Sequence, residues 1–215
     1  MALRSLKATL NTFVRSVNEG KRLVTDAYSW ASPGNHGRRP LISLQRRNSM
    51  TEHAFLHSFL AWETFLEESF VLYLAGQKPP RGRAPHRYAF PPNLQMAMEW
   101  VVPEGHDYAT WTIATHVANR AQRFFRDGRP YTPVLRSNQS ALDELRILRN
   151  ATAHASANVQ LKFQKLVRNK LGTLPPRLTV GAFLWMIVPG TNPPISFMEH
   201  YVGKIDFAAR KLVPA

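Results

Sequence analysis

The sequence predicts an all-α fold, and three observations carry that reading. Apolar residues recur at three- and four-residue spacing over long stretches. Clusters of proline and glycine separate those stretches. Of the 215 residues 44% are hydrophobic and 11% aromatic, enough to fill one core. The chain therefore reads as a single helical domain over residues 1–215.

The first helix is expected over residues 2–28, with Leu3, Leu6, Leu10, Phe13, Val14 and Val17 on one stripe and Leu23, Val24 and Tyr28 resuming it after Gly20. Ser32-Pro33-Gly34-Asn35-His36-Gly37 is a loop by composition and runs into the basic connector Arg38-Arg39-Pro40 and Arg46-Arg47. Residues 50–76 give the strongest helix, with Thr51 as its expected cap and Gly76 followed by Pro79-Pro80 as its end. Phe55, Leu56, Phe59, Leu60, Leu66, Phe70, Val71 and Leu74 make it the central core helix. Glu63 lies on that apolar face. An ionised carboxylate there needs a partner or a route to water, and the natural partner is an Arg or His from another helix.

Residues 77–93 carry five prolines with Arg81, Arg83 and Arg87 and read as an extended basic loop. A short helix is expected at 94–101, stopped by Pro103. The next is expected over 107–126, with Trp111, Ile113, Ala114, Val117, Ala118, Ala121 and Phe125 inside and Arg120, Arg123 and Arg126 on the polar side. Gly128, Pro130 and Pro133 close it, and a loop with Ser137, Asn138 and Ser140 leads onward. After 146–155, either the chain bends and stays helical or a new helix starts at Ser156 or Asn158 and runs to 171. Thr179 caps an apolar segment, Val180 to Val188, for which both helix and buried strand fit the pattern. The last helix is expected over 195–213.

Charge narrows the function. The net charge is +14 with a pI near 10.8, a surplus that draws polyanions to the chain, nucleic acid first and an anionic membrane second. Arg outnumbers Lys twenty to eight, and the guanidinium fork suits phosphate oxygens. The absence of cysteine excludes disulfides, thiolate catalysis and cysteine-based zinc sites and fits a cytoplasmic protein. No apolar run is long enough to span a membrane. His53 and His57 have a metal-binding spacing, but no third ligand and no glutamate in the metalloprotease position accompany them. Neither a metal nor a cofactor is expected. Trp62, Trp100, Trp111, Trp185 and Phe163 read as core.

One stretch departs from simple core filling: Arg146-Ile147-Leu148-Arg149-Asn150-Ala151-Thr152-Ala153-His154-Ala155. It reads as helix, with Leu142, Leu145 and Leu148 three apart. Past Leu148 the large apolar side chains give way to alanines around polar groups. Arg146, Asn150 and His154 fall four apart on one row, and Arg149 lies on the neighbouring face. Imidazole suits proton transfer near neutral pH, and guanidinium suits a phosphate that is gaining charge.

Arg149-Asn150-x-x-x-His154 resembles the Arg-x4–6-His motif of the HEPN superfamily, all-helical proteins many of which are metal-independent ribonucleases. Arg81 and His86 share the spacing, but Pro79, Pro80, Gly82 and Pro85 around them forbid a helix. The long second helix and Thr179-Val180-Gly181-Ala182-Phe183-Leu184 are similar to the RiboL-PSP-type branch. The resemblance implies an antiparallel helical bundle with an additional N-terminal helix and C-terminal helices. It implies an endoribonuclease that dimerises so that two motifs meet across a two-fold axis, His154 acting as base or acid, Arg149 as phosphate clamp and Asn150 as orienting partner. The carboxylate of Glu63 would hold the motif in place, and Arg146, Arg120 and Arg123 would bind RNA. A bacterial toxin–antitoxin or anti-phage role follows from the same resemblance, with a cognate antitoxin, such as a nucleotidyltransferase, as partner. Two alternatives stay open: a non-catalytic HEPN module binding RNA or a protein, and a basic structural or DNA-binding helical protein.

Overall fold

A computed structural model describes residues 5–32 and 39–215. Leu3 and the predicted loop at 33–37 with Arg38 lie outside them. Among the described residues the structure is all-helical, with α1 Leu6–Ala31, α2 Leu44–Leu74, α3 Leu94–Val101, α4 Ala114–Phe124, α5 Tyr131–Ser137, α6 Gln139–Ala153, α7 Ala157–Leu171, α8 Val180–Trp185 and α9 Phe197–Leu212. The only pairing of extended backbone among these residues is two isolated bridges, Arg87 with Phe125 and Ile187 with Ser196. The segment at 180–188 resolves as a short helix followed by one of these bridges.

The chain divides into two compact units. Unit 1 comprises the described part of Met1–Arg15 with Ala61–Asp143 and Lys204–Ala215. Its core is aromatic. Phe70 packs against Trp111, Phe125 and Tyr131 with ring centroids 5.4, 5.0 and 4.9 Å away. The two buried tyrosine hydroxyls are satisfied: Tyr131 meets Ser69 at 2.9 Å, and Tyr73 donates to the Leu212 carbonyl at 2.7 Å. Burial pushes both phenols well above their usual range.

Unit 2 comprises Ser16–Leu60 and Glu144–Gly203. Phe163, Phe183, Phe197 and Tyr201 form a run of ring contacts joining α7, α8 and α9. The Thr179–Leu184 segment has a local logic. Thr179 caps α8 by accepting from Ala182 N–H at 3.1 Å, Phe183 and Leu184 are fully buried, and Gly181 donates its N–H to Glu52 at 2.8 Å. A Cβ on Gly181 would overlap the backbone carbonyl of Asn48 on α2. Gly181→Ala is therefore expected to cost about 1–3 kcal/mol of stability, the usual scale of overpacking. Gly203, also helical, has open space where a Cβ would go, so Gly203→Ala should stabilise by roughly 0.5–1 kcal/mol. Urea midpoints of the two variants check this. Similar shifts for both would remove the close approach as the reason for glycine at 181.

Several elements differ from the sequence reading. α2 begins at Leu44, so Thr51 sits inside it, fully buried, donating to the Arg47 carbonyl and accepting from Trp185 Nε1 at 2.6 Å. The helix expected from 107 begins only at Ala114. Thr110, Thr112 and Ile113 are β-branched and poor helix formers, and Trp111 packs on Phe70 from outside the helix. The predicted loop at 128–138 contains α5, because Pro133 falls in its first turn, where the missing N–H costs nothing. Leu60, counted on the apolar face of α2, is 46% exposed.

Candidate functional site

The Arg149–His154 motif lies in unit 2, at the end of α6. Leu145 and Leu148 are fully buried and Ala151 nearly so, which fixes the face that α6 turns inward. Arg146, Arg149 and Asn150 are half-buried beside that face. The predicted helix through 155 stops at Ala153. His154 is the first residue beyond it, exposed to solvent, and its N–H still donates to the Asn150 carbonyl at 2.9 Å. Ser156 then starts α7 from extended backbone, so a new helix begins at the first of the two expected positions.

Asn150 touches both predicted reactive residues. Its Oδ1 accepts a long hydrogen bond from Arg149 Nη1, at 3.4 Å, and its carbonyl holds the His154 backbone. Arg149 Nε is buried and has no hydrogen-bond acceptor among the described residues. A guanidinium has five donors, and here they are only partly used. The surface around His154 is small and exposed: Ala153, Ala155, Ser156 and Ala157 all face solvent.

The α6 helix is tied to its neighbours by a residue outside the motif. Glu144, in the second turn of α6 and within unit 2, receives Lys170 Nζ of α7 at 2.7 Å and the Tyr201 hydroxyl of α9 at 3.0 Å. Burial, with the Glu144 charge beside it, pushes the Tyr201 phenol up, so it stays a donor. The signal was present: Glu144 lies four residues before buried Leu148 and so on the apolar row.

The other predicted residues sit in unit 1. Glu63 is half-buried, and its carboxylate accepts a hydrogen bond from the Thr112 hydroxyl. Thr112 lies just before α4. Arg120 lines the same groove as Arg123 but is held mostly inside. It is only 9% exposed, its guanidinium covers the Trp111 ring at 4.6 Å, and Nη1 donates to the Thr110 carbonyl at 3.3 Å. Desolvation lowers the Arg120 pKa. Neighbouring Glu67 keeps much of its surface open, yet partial burial of its carboxyl raises its pKa against the opposing pull of Trp111 and Arg120. Arg123 is exposed beside a shallow groove of about 270 Å³ with Trp100, His116 and Asn119.

His53 Nδ1 is 2.7 Å from the Ser49 carbonyl and His57 Nε2 is 3.9 Å from Glu19. Among the described residues no three His, Cys, Asp or Glu side chains are grouped as metal ligands, and no helix is long and apolar enough to cross a membrane. No protein-family model matches the chain, and neither a curated protein nor a solved structure matches it.

Proposed function

We propose that the chain is a metal-independent endoribonuclease acting as a homodimer, with Arg149 and His154 of each copy in one composite site. The observation that carries this reading is the double role of Asn150, which accepts from the Arg149 side chain and fixes the His154 backbone. The partly unsatisfied Arg149 guanidinium and the open imidazole supply the two functions that RNA cleavage by its own 2′-hydroxyl requires.

In that reaction one imidazole removes the 2′-hydroxyl proton. The resulting oxygen attacks the adjacent phosphorus, Arg149 balances the charge that grows on the phosphorane, and a second imidazole protonates the departing 5′-oxygen. The products are a 2′,3′-cyclic phosphate and a 5′-hydroxyl. One chain has a single His154, so the two proton transfers call for two copies. The small exposed side chains at 153, 155, 156 and 157 leave room for an isologous approach. A toxin or anti-phage role, held in check by a cognate antitoxin protein, is part of the same proposal and rests on the motif resemblance.

Purified protein is expected to cleave single-stranded RNA in excess EDTA at an unchanged rate, and end mapping should find cyclic phosphates and 5′-hydroxyls. An absolute requirement for magnesium or manganese, or 5′-phosphate ends, would exclude the mechanism.

A further inference from the structure

Away from the motif, unit 1 contains a second concentration of positive charge. Loop residues 79–86, the turn at 126–130 and the end of α9 surround a cavity of about 590 Å³. Arg81, Arg83, His86, Arg126, Arg129 and Lys211 line it and are all exposed, against one acid, Asp127. Among the described residues none of these arginines, nor Lys211, has a carboxylate partner at ion-pair distance.

The backbone that presents these charges is pinned. Arg81 N–H donates to the Pro214 carbonyl at 3.0 Å, Arg126 N–H to His86 at 2.9 Å, and Tyr88 N–H to Phe124 at 2.9 Å. Arg87 turns inward instead, donating Nη1 to the Leu74 carbonyl at 2.8 Å. The loop is thus fastened at several points by main-chain bonds while its other cations point into the open. Like charges gathered without counter-ions repel one another, and an anionic ligand relieves that repulsion.

We propose that this cleft binds single-stranded nucleic acid through its phosphates. Six basic groups exceed what one phosphate needs and match a run of them. The cleft offers no base pocket: its one aromatic side chain, Tyr73, is buried and uses its hydroxyl on Leu212. A stacking surface adjoins it: Tyr88, 56% exposed, has its ring centroid 6.0 Å from that of His86, which lines the cleft. Cations along the backbone with aromatic rings beside them are the arrangement that holds unpaired strands without reading sequence. The site requires only binding, so it stands whether or not the Arg149–His154 motif cleaves.

The test is fluorescence anisotropy of a labelled oligouridylate of about twelve nucleotides, a length within the span of such sites, on the full chain carrying His154→Ala so that no probe is cut. Added Arg83→Ala/Arg126→Ala/Arg129→Ala should weaken binding at least about thirtyfold at moderate salt and flatten the log–log salt slope by about 2, as expected for three lost phosphate contacts. Lys7→Ala/Arg15→Ala/Arg22→Ala removes the same charge elsewhere and should weaken it less than about threefold, the non-specific share. Tyr88→Ala should cost roughly tenfold without changing the slope. Oligothymidylate should bind like the RNA and a duplex more weakly. Equal losses in the two triple variants would overturn the site, as would a duplex that binds as tightly as the single strand. Saturable ATP binding at the cleft with oligouridylate binding unaffected by the first triple would replace nucleic acid by a small anion. A photo-crosslinked bromouridine oligomer should map to residues 81–90 in the chain with no cleft substitution, a readout that needs no variant to fold, and crosslinks confined elsewhere would refute the proposal.

Discussion

His154→Ala is expected to lower RNA cleavage by roughly 10²–10⁴-fold, the usual contribution of a positioned acid or base. The residue is exposed and lies past the last turn of α6, so its removal leaves no cavity and no orphaned partner. Stability should therefore change by less than about 0.5 kcal/mol, as for other surface substitutions. Initial rates on single-stranded RNA and urea midpoints report the two effects separately. A large fall in stability would mean that the imidazole is structural. Unchanged cleavage would remove it from the chemistry.

Arg149→Ala is expected to cost about 10²–10³ in kcat, roughly 2.7–4 kcal/mol, the scale of losing one donor that meets charge developing in the transition state. Its Nη1 makes only a 3.4 Å contact to Asn150, which leaves the terminal Nη donors of the guanidinium for a phosphate. Arg149→Lys keeps the charge and loses the fork, and should recover only part of the rate. If kcat holds and only KM rises, Arg149 binds RNA without stabilising the transition state.

The fold was legible where helical periodicity and its punctuation agree. α3 matches its expected range to the residue, and α1, α7 and α9 match to within a few residues, from apolar stripes ending at glycine or proline, while α2 starts six residues before its expected beginning at 50. The errors arose where one signal was read alone. Trp111 and Ile113 keep helical spacing with α4, yet the β-branched residues beside them leave 107–113 outside the helix. Pro133 was read as a breaker although the first turn of a helix tolerates it. The motif was legible as a set of residues, but its helix ends before His154 with no glycine or proline to mark the place. Arg120 shows a further limit: three-residue spacing put it with Arg123 and Arg126, while an adjacent tryptophan face drew it inward. Glu63 and Glu144 both sit on apolar rows. It is the second that secures the motif helix, through Lys170 and Tyr201.

The central claim is that two copies share one reaction, and mixed dimers test it most directly. Wild-type chains and Arg149→Ala/His154→Ala chains, carrying different tags, are assembled and the heterodimer isolated. A composite site needs an acid, a base and phosphate-directed charge from both copies, so the heterodimer should retain below about a tenth of wild-type cleavage. A heterodimer with about half the wild-type rate, or a monomer that cleaves at the full rate, would show that each chain works alone and would contradict the account.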